Sequence, residues 1–400
     1  MHGTFTYRHI LAIDLGKFNS VACNYDPATH VHRFTSVQTI PAAIHDYLTA
    51  NAGEDPADTL VVIETCDVCG WVHDIATALG MAVAVANVAN DAWRWKKVKR
   101  KTDKDDALKL ATMALLSQLP TVHVPPPAVR QRRRLIRHRK ALVERRTISK
   151  NQIRSIYSQQ GLQLPRGNTL WTKAGVTQLR SEARSFADCA VDDLWRGRLN
   201  VELDLLEAID GQLQAMEKKL DELGAADPAV VRLQSIKGVG PRLAETVVAC
   251  LDDPHRFKNA NQVGSYAGLV PKQLESGEMK RVGRITRRGS TLLRGMLVEV
   301  AWMVYRHNAW ARAFVLKVSR GMKSRKRIAI VALARKLLVK MWAMLRDGTT
   351  WQEPGNSDEG PRRRKNKCEG LAALGRVSGS PPEDTGRELA LSSVVGVLAV

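Results

Sequence analysis

The chain has 400 residues, of which 61 are Lys or Arg and 40 are Asp or Glu, so its formal net charge is +21. This length allows two or three domains, each with its own core, and excludes any need for disulfides or metal to complete a small fold. Such a positive charge favours a polyanion, first of all nucleic acid, as the partner, although charge can also serve only to keep a protein soluble.

The N-terminus and the cysteines bear on where the chain works. The apolar run around Ile10 is too short for a secretion signal, and no segment approaches the roughly 18 apolar residues of a membrane span. We therefore expect a cytoplasmic protein with no membrane partner. The only C-x-x-C, Cys66 to Cys69, has no second pair to complete a zinc site, so reduced thiols are expected.

Residues 9–117 alternate strand-like and helix-like runs. Three β-rich runs, HILAIDL, SVACNYD and HRFTSV, come first, and a helical run, PAAIHDYLTANA, follows them. The later runs are TLVVIE and MAVAVAN as strands, and WVHDIATALG and DDALKLATMALLSQL as helices. A meander followed by strand–helix units predicts a mixed sheet with helices packed on it, an α/β domain over residues 1–120.

A break at three prolines, residues 125–127, introduces a basic helical region over residues 121–228. Its first helix, residues 130–164, carries an apolar stripe and a coat of cations. The stripe consists of Leu135, Leu142, Ser149, Ile153 and Ile156, and the cations are Arg132, Arg133, Arg134, Arg137, Arg139, Lys140, Arg145 and Arg146.

The second helix of this region, residues 198–223, repeats leucine every seven residues. These heptad leucines are Leu199, Leu206, Leu213 and Leu220. A long antiparallel hairpin within the chain and a coiled coil between chains both fit the pattern.

Residues 229–351 are predicted to form a compact, mainly helical domain, and residues 352–400, poor in large apolar residues, are predicted to be disordered. The segment LQSIKGVGPRLAETVV resembles a helix-hairpin-helix. Gly238 and Gly240 allow a tight turn that leaves backbone N–H groups free to bind a phosphate oxygen. A simple packing corner between two helices is the alternative.

Four carboxylates are placed where they could converge. Asp14 and Glu64 end predicted strands, and Asp103 and Asp106 share one face at the start of a predicted helix. Strand ends point into the cleft where open α/β sheets hold ligands, and divalent cations such as Mg²⁺ relieve the repulsion between clustered carboxylates. Two such ions can bind one phosphodiester, where they activate the attacking oxygen and stabilise the leaving one. Each acid taken separately could instead be a cap or an ion-pair partner.

Other residues near these motifs are interpreted differently. Asp105 lies off the face shared by Asp103 and Asp106 and is read as a partner of the helix dipole. Asp67 and Asp91 are reserve candidates. The basic linker with Trp93 and Trp95 could stack on bases, but ordinary packing is favoured. The strand AIDLG also suits actin-like and sugar-kinase ATPases, but the second glycine-rich phosphate loop that they require is absent from the sequence.

A serine surrounded by cations marks the C-terminal domain. Ser276 lies in a predicted polar loop, ESG. The cations around it are Lys272, Lys280, Arg281, Arg284, Arg287, Arg288 and Arg294. A serine that attacks phosphorus needs a base or metal to take its proton and cations to stabilise the developing charge, and the local residues supply only the cations. On these residues alone, Ser276 is an ordinary loop serine.

The motifs in combination resemble the DEDD-type insertion-sequence transposases. They are strand-end Asp14 and Glu64, K-T-D-x-x-D-A at residues 101–107, the G-V-G-P turn, and G-L-V-P-x-x-x-x-S-G followed by G-R-I-T-R-R-G. The resemblance covers about residues 9–345. It implies a RuvC-like, ribonuclease H-type N-terminal domain and a recombinase of a mobile element. It further implies Asp14, Glu64, Asp103 and Asp106 as a tetrad for Mg²⁺ or Mn²⁺, and Ser276 as the nucleophile that forms a phosphoserine link to DNA.

The resemblance also implies partners. In that family a structured guide RNA encoded by the element bridges donor and target DNA, and members act as oligomers, so a dimer or tetramer is expected and the heptad leucines suit that role. The residues expected to bind nucleic acid are Gly238, Gly240, Lys280, Arg281, Arg284, Arg287, Arg288, Arg133 and Arg137. Two alternatives stay open: a junction-type nuclease that hydrolyses DNA with the carboxylates alone, and a non-catalytic nucleic-acid-binding protein.

Overall fold

The computed structural model describes residues 6–87, 102–276 and 279–352, and for residues 273–282 the description is of the backbone alone. The predictions for the tail after residue 352, for Asp91 and for the tryptophans of the basic linker lie outside the described residues. Within the described ranges, no helix combines the length and apolar character needed to cross a membrane.

Within the described residues, the N-terminal part contains a five-stranded mixed sheet. The first three strands, β1 (His9–Asp14), β2 (Asn19–Tyr25) and β3 (His32–Gln38), form an antiparallel meander. Two more, β4 (Thr59–Glu64) and β5 (Ala82–Ala86), lie parallel to β1, and the order across the sheet is β3-β2-β1-β4-β5. The predicted mixed α/β class is confirmed and is consistent with a ribonuclease H-like domain.

Side chains alternate along the strands, so the sheet has a core on each face. On one face α1 (Pro41–Asn51) and α2 (Cys69–Ala78) cover Leu11, Ile13, Val61 and Ile63. On the other face α3 (Asp103–Leu115) covers Ile10, Ala12, Leu60 and Val62. Because β1 and β4 are buried on both sides, they read in the sequence as continuous apolar runs.

The basic region forms a long helical hairpin of α4 (Pro127–Gln159) and α6 (Leu194–Ala225), with the shorter α5 (Lys173–Glu182) beside it. Arg139 donates to Glu217 at 2.5 Å and Arg146 donates to Asp210 at 3.3 Å, so α4 and α6 are antiparallel. The heptad leucines are buried, and α4 packs along α6. The seam therefore closes within one chain, which favours the hairpin over an intermolecular coiled coil at this surface.

One expectation about α4 is wrong. Ile136, with 6% of its surface exposed, takes the buried position expected for Leu135, which is only partly buried against the same cluster. The predicted members Leu142, Ser149, Ile153 and Ile156 are buried. Near the start of α4, Ile136 packs against Leu220 of α6 and Ala249 of α8. The apolar stripe of α4 therefore contacts both α6 and the C-terminal part.

The C-terminal part is mainly helical around one core that includes Leu297, Leu333 and Leu337. Its helices are α7 (Pro228–Gln234), α8 (Pro241–Leu251), α9 (Ala260–Tyr266), α10 (Thr291–His307), α11 (Ala309–Ser319) and α12 (Lys326–Asp347). An antiparallel pair, β6 (Pro271–Ser276) and β7 (Met279–Ile285), interrupts them.

This strand pair corrects the prediction of a polar loop at Ser276. Ser276 is the last residue of β6 and pairs with Met279. Exactly two residues separate the strands in the sequence, and the first is Gly277, a pattern typical of a hairpin. The strands are rich in Lys, Arg and Glu, so their apolar alternation is too weak to reveal them as strands.

The turn between α7 and α8 depends on one of its two glycines. Gly238 has φ of +96°, and a Cβ there would lie 3.2 Å from Val304 Cγ2 on α10. Gly240 is the N-cap of α8 with φ of −88°, and a Cβ there meets no atom within 4 Å. The left-handed backbone therefore requires glycine only at position 238.

The same substitution at both glycines tests this difference. Gly238→Ser is expected to lower the free energy of unfolding by about 1–2 kcal/mol, because a side chain is unfavourable at positive φ. Gly240→Ser is expected to be neutral or slightly stabilising, because serine is a good N-cap and has room. Chemical denaturation of the two variants beside the parent measures both effects, and equal losses would contradict the assignment.

Candidate active site

Asp14 and Glu64 end neighbouring parallel strands at the same edge of the sheet. Ile13 lies opposite Ile63 in the register of β1 and β4, so Asp14, the next residue along β1, lies beside Glu64. Alternation along each strand puts both carboxylates on the face that α3 covers. Both residues are partly buried. The structure thus brings the two strand-end acids side by side.

The first turn of α3 is held by a capping box. Thr102 is the N-cap: its Oγ1 accepts from the backbone N–H of Asp105 at 3.3 Å, and Asp105 Oδ2 accepts from the backbone N–H of Thr102 at 3.0 Å. The side-chain and backbone hydrogen bonds from Thr102 lower the pKa of Asp105 below its ordinary value. Asp105 is therefore committed to the cap, and Thr102 holds the N-cap position that Asp103 could have taken.

The other two acids of this turn differ in burial. Asp106 is 8% exposed on the helix face that also carries the buried Leu110, whereas Asp103 is exposed. α3 packs on β1, β2 and β4, the elements that include both strand-end acids. Asp14, Glu64 and Asp106 thus belong to one covered face of the sheet, and Asp103 lies at its rim.

The four acids do not already surround a common point. Across residues 6–87, 102–276 and 279–352, no group of three or more His, Cys, Asp or Glu side chains is arranged to hold a metal ion. Asp67, a reserve candidate, is exposed three residues beyond Glu64. Repulsion between carboxylates opposes their convergence unless a cation is bound.

Ser276 and its cations belong to the C-terminal part. Lys280 and Arg281 lie in β7, paired with Glu275 and Leu274. The side chains of Arg284 near the end of β7 and of Arg287 and Arg288 beyond it are exposed. Among the described elements, the β6–β7 hairpin makes no extensive contact with β1, β4 or α3.

The cations of α4 fall into two groups. Arg132 pairs with Asp227 at 2.5 Å, and the pairs of Arg139 and Arg146 with α6 are equally structural. Arg133 donates through Nε to the carbonyl of Ala249 at 2.5 Å and through Nη2 to that of Cys250 at 3.0 Å. The guanidinium of Arg133 thus caps the C-terminal end of α8. Because its donors are used there, we exclude Arg133 from the residues that we expect to bind nucleic acid.

The exposed group on α4 is the better candidate for binding nucleic acid. It consists of Arg134, Arg137 and Arg145. Arg137 lines a small cavity of about 40 Å³ together with Tyr266 and Ser290, the N-cap of α10. The sequence pattern could not separate these cations from the paired ones, because the partners of Arg132, Arg139 and Arg146 lie 95, 78 and 64 residues away.

Comparison with known proteins decides the family. Residues 11–160 match the family model of DEDD transposases of the IS110 type, and residues 230–316 match that of the transposase IS116/IS110/IS902 family. The putative transposase y4rJ of Sinorhizobium fredii is 30% identical over an alignment of 311 residues that covers 72% of this chain and 77% of that protein. The chain belongs to the IS110/IS116/IS902 family of transposases.

Two further relatives agree. The transposase of insertion sequence element IS1111A from Coxiella burnetii is 28% identical over 73% of this chain and 79% of its own length. A probable family 20 transposase from Pseudomonas aeruginosa is 29% identical over 74% of this chain and 86% of its own length. The prediction of an insertion-sequence transposase, an enzyme of DNA strand transfer, is confirmed, and DEDD-type domains generally use divalent metal ions.

Proposed function

We propose that this transposase cleaves and rejoins DNA strands at the edge of the sheet where Asp14 and Glu64 lie, with Mg²⁺ as its ion. The observation that carries the proposal is the register that sets these two acids side by side under α3. The donor set fits the ion, because Asp14, Glu64, Asp103 and Asp106 offer only carboxylate oxygens, which Mg²⁺ and Mn²⁺ prefer. When bound, the metal would stabilise the charge that develops on the phosphodiester.

The chain's own residues prepare this edge. The capping box of Thr102 and Asp105 fixes the start of α3, from which Asp103 and Asp106 project. Burial of Leu110 holds α3 against the strands that end in Asp14 and Glu64. We assign residues 1–120 to this catalytic domain, residues 121–228 to the helical region and residues 229–351 to the C-terminal transposase domain.

Ser276 is the proposed nucleophile. Its Oγ would lose a proton to a base, bond to phosphorus and displace one strand end, which leaves a phosphoserine link to DNA. The position at the tip of a strand pair, with Lys280 and Arg281 on the neighbouring strand, supports this role. Because the β6–β7 hairpin makes no extensive contact with the strands that end in Asp14 and Glu64, we infer an oligomer in which one subunit's serine meets another's acids.

Nucleic acid would bind along the C-terminal part and the exposed face of α4. The turn with left-handed Gly238 leads into the N-terminus of α8 at Gly240, as a helix-hairpin-helix requires for phosphate binding. The cations in this interface are Lys280, Arg281, Arg284, Arg287, Arg288 and Arg137. We include a structured guide RNA among the ligands.

The RNA requirement has a direct test. The transposase should cleave its element ends only when an RNA transcribed from non-coding DNA beside the gene is added, and altered RNA loops should redirect cleavage to complementary sites. Arg137→Ala should weaken RNA and DNA binding and reduce the slope of log K against log salt by about one. Cleavage of the same sites without RNA would contradict RNA guidance.

A further inference from the structure

An exposed aromatic ring lies at the edge of the sheet that carries the candidate site. The turn of residues 15–18 joins β1, which ends at Asp14, to β2, which begins at Asn19. Phe18 in this turn has 73% of its surface exposed. The Cα atoms of Asp14 and Phe18 are four residues apart and therefore at most about 14 Å from each other. That distance corresponds to about four base steps along a DNA strand.

The backbone that carries Phe18 is fixed on both sides. A Cβ at Gly16 would clash with the carbonyl oxygen of Asn19, so the turn closes only with glycine at position 16. The backbone N–H of Thr39, which follows β3, donates to the carbonyl of Phe18 at 2.8 Å. The hydroxyl groups of Thr39 and Ser20 form a buried hydrogen bond of 2.7 Å. This ordered turn reduces the entropy cost of binding a ligand to the ring.

A cation accompanies the ring. Lys17 Nζ lies 5.2 Å from the centroid of the Phe18 ring, within the range of a cation–π contact. Lys17 is also exposed, so its ammonium group can pair with a phosphate. Proteins that bind single-stranded nucleic acid combine these two features, because an aromatic ring stacks on a base while a cation contacts the backbone.

Packing within the protein does not account for this ring. Leu15, in the same turn, is 7% exposed and belongs to the core between the sheet and α1 and α2. Within the part of the chain that the structure describes, Phe18 belongs to none of the hydrophobic cores. A transposase acts on DNA, and this edge is where we place the cleavage. A DNA strand is therefore the ligand that best fits the ring and its cation.

We propose that Phe18 stacks on an unpaired base of the DNA strand that is cleaved, and that Lys17 binds a phosphate of the same strand. This inference rests on the proposed function, which places the strand at the edge formed by Asp14 and Glu64. A base offers its face to the ring only when it leaves its neighbour in the duplex, so the DNA opens beside the cleaved phosphodiester. The contact holds the strand in register with the carboxylates.

Substitution of the ring tests the stacking. Phe18→Ala is expected to weaken binding of element-end DNA with unpaired bases at the cleavage site by about 5- to 150-fold, the contribution of one stacked base. Phe18→Trp should bind as the parent does, whereas Phe18→Leu, which is apolar but lacks a ring, should resemble Phe18→Ala. Gel-shift titration measures the affinities, and chemical denaturation checks that each variant is folded.

Val31→Ala is the matched control. Val31 is 59% exposed in the turn between β2 and β3, which lies at the opposite end of these strands from Asp14. The control should bind the same DNA with parental affinity. Parental affinity of Phe18→Ala, or an equal loss in Val31→Ala, would overturn the stacking.

Abasic sites identify the base that the ring contacts. One abasic site is placed in turn at each position within about four nucleotides of the cleavage site. At the contacted position the parent should lose as much affinity as Phe18→Ala loses on intact DNA, and Phe18→Ala should lose nothing more, because both changes remove one interaction. Losses that multiply at every position would exclude the contact. Coupling to an abasic site in added RNA, and to none in the DNA, would assign the ring to RNA and overturn the proposal.

Salt dependence tests the role of Lys17. Lys17→Gln should reduce the slope of log K against log salt by about one, because one phosphate contact is lost. Phe18→Ala should leave that slope unchanged, because stacking releases no counterions. A parental slope in Lys17→Gln would remove the phosphate contact from the proposal.

Cleavage separates this inference from the proposed function. If the parent cleaves its element ends and Phe18→Ala cleaves limiting DNA at the same rate, the stacking falls and the proposed function stands. If the parent binds the DNA without cleaving it, the proposed function falls, and the abasic scan still decides the contact. If Phe18→Ala alters the oligomeric state and leaves the DNA affinity unchanged, the ring packs against a second copy of the chain and the proposal is overturned.

Discussion

Asp14→Asn is expected to abolish strand cleavage and leave DNA binding intact. The substitution keeps the shape of the side chain at the end of β1 but removes one negative charge from the pair with Glu64. A cation held there would lose part of its electrostatic stabilisation, so we expect a fall of about a thousandfold in cleavage rate, equivalent to about 4 kcal/mol. Single-turnover cleavage of labelled element ends and a gel-shift titration measure the two properties separately.

Asp105→Asn is the matched control, because it also neutralises an acid in this region. Asp105 uses its carboxylate in the capping box with Thr102, so its loss should cost about 1 kcal/mol of stability and leave the cleavage rate near that of the parent. If Asp14→Asn cleaves DNA as fast as the parent, Asp14 is not part of the site. The same conclusion follows if the cleavage rate falls as far in Asp105→Asn as in Asp14→Asn. Absence of cleavage by the parent itself, with DNA binding retained, would favour a non-catalytic nucleic-acid-binding role.

Ser276→Ala is expected to eliminate any covalent protein–DNA adduct. The substitution removes the oxygen that would bond to phosphorus, and loss of a nucleophile commonly costs about a thousandfold or more in rate. The parent incubated with labelled, nicked element ends should give a slowly migrating band in a denaturing gel, and proteolysis should place the label on the peptide that contains Ser276.

Ser265→Ala provides the control, since Ser265 is an exposed serine on α9 in the same domain. That variant should form the adduct as the parent does. If Ser276→Ala still cleaves and the parent forms no adduct, the serine mechanism is excluded and hydrolysis by the carboxylates alone, the junction-nuclease alternative, takes its place.

Hydrophobic periodicity made the N-terminal domain predictable. HILAID and TLVVIE are buried on both faces and therefore read as strands without any knowledge of their neighbours. Helical spacing likewise separated Asp105 from Asp103 and Asp106, and the capping box gives Asp105 a structural role. These features depend on local geometry, which neighbouring residues determine.

Features that depend on distant partners were not predictable in the same way. Arg133 looked like its exposed neighbours until α8 supplied carbonyls 116 and 117 residues away. The strand ending at Ser276 was missed because charged residues mask its alternation.

Iron-mediated cleavage of the protein tests the central claim most directly. With added hydrogen peroxide and ascorbate, Fe²⁺ that replaces Mg²⁺ at its site reduces the peroxide to hydroxide and a hydroxyl radical, which cuts the backbone close to the bound ion. We predict cuts near residues 14, 64 and 103–106 that excess Mg²⁺ suppresses and that Asp14→Asn weakens. Cuts elsewhere in the chain, or none that Mg²⁺ competes away, would contradict a metal site formed by these four carboxylates.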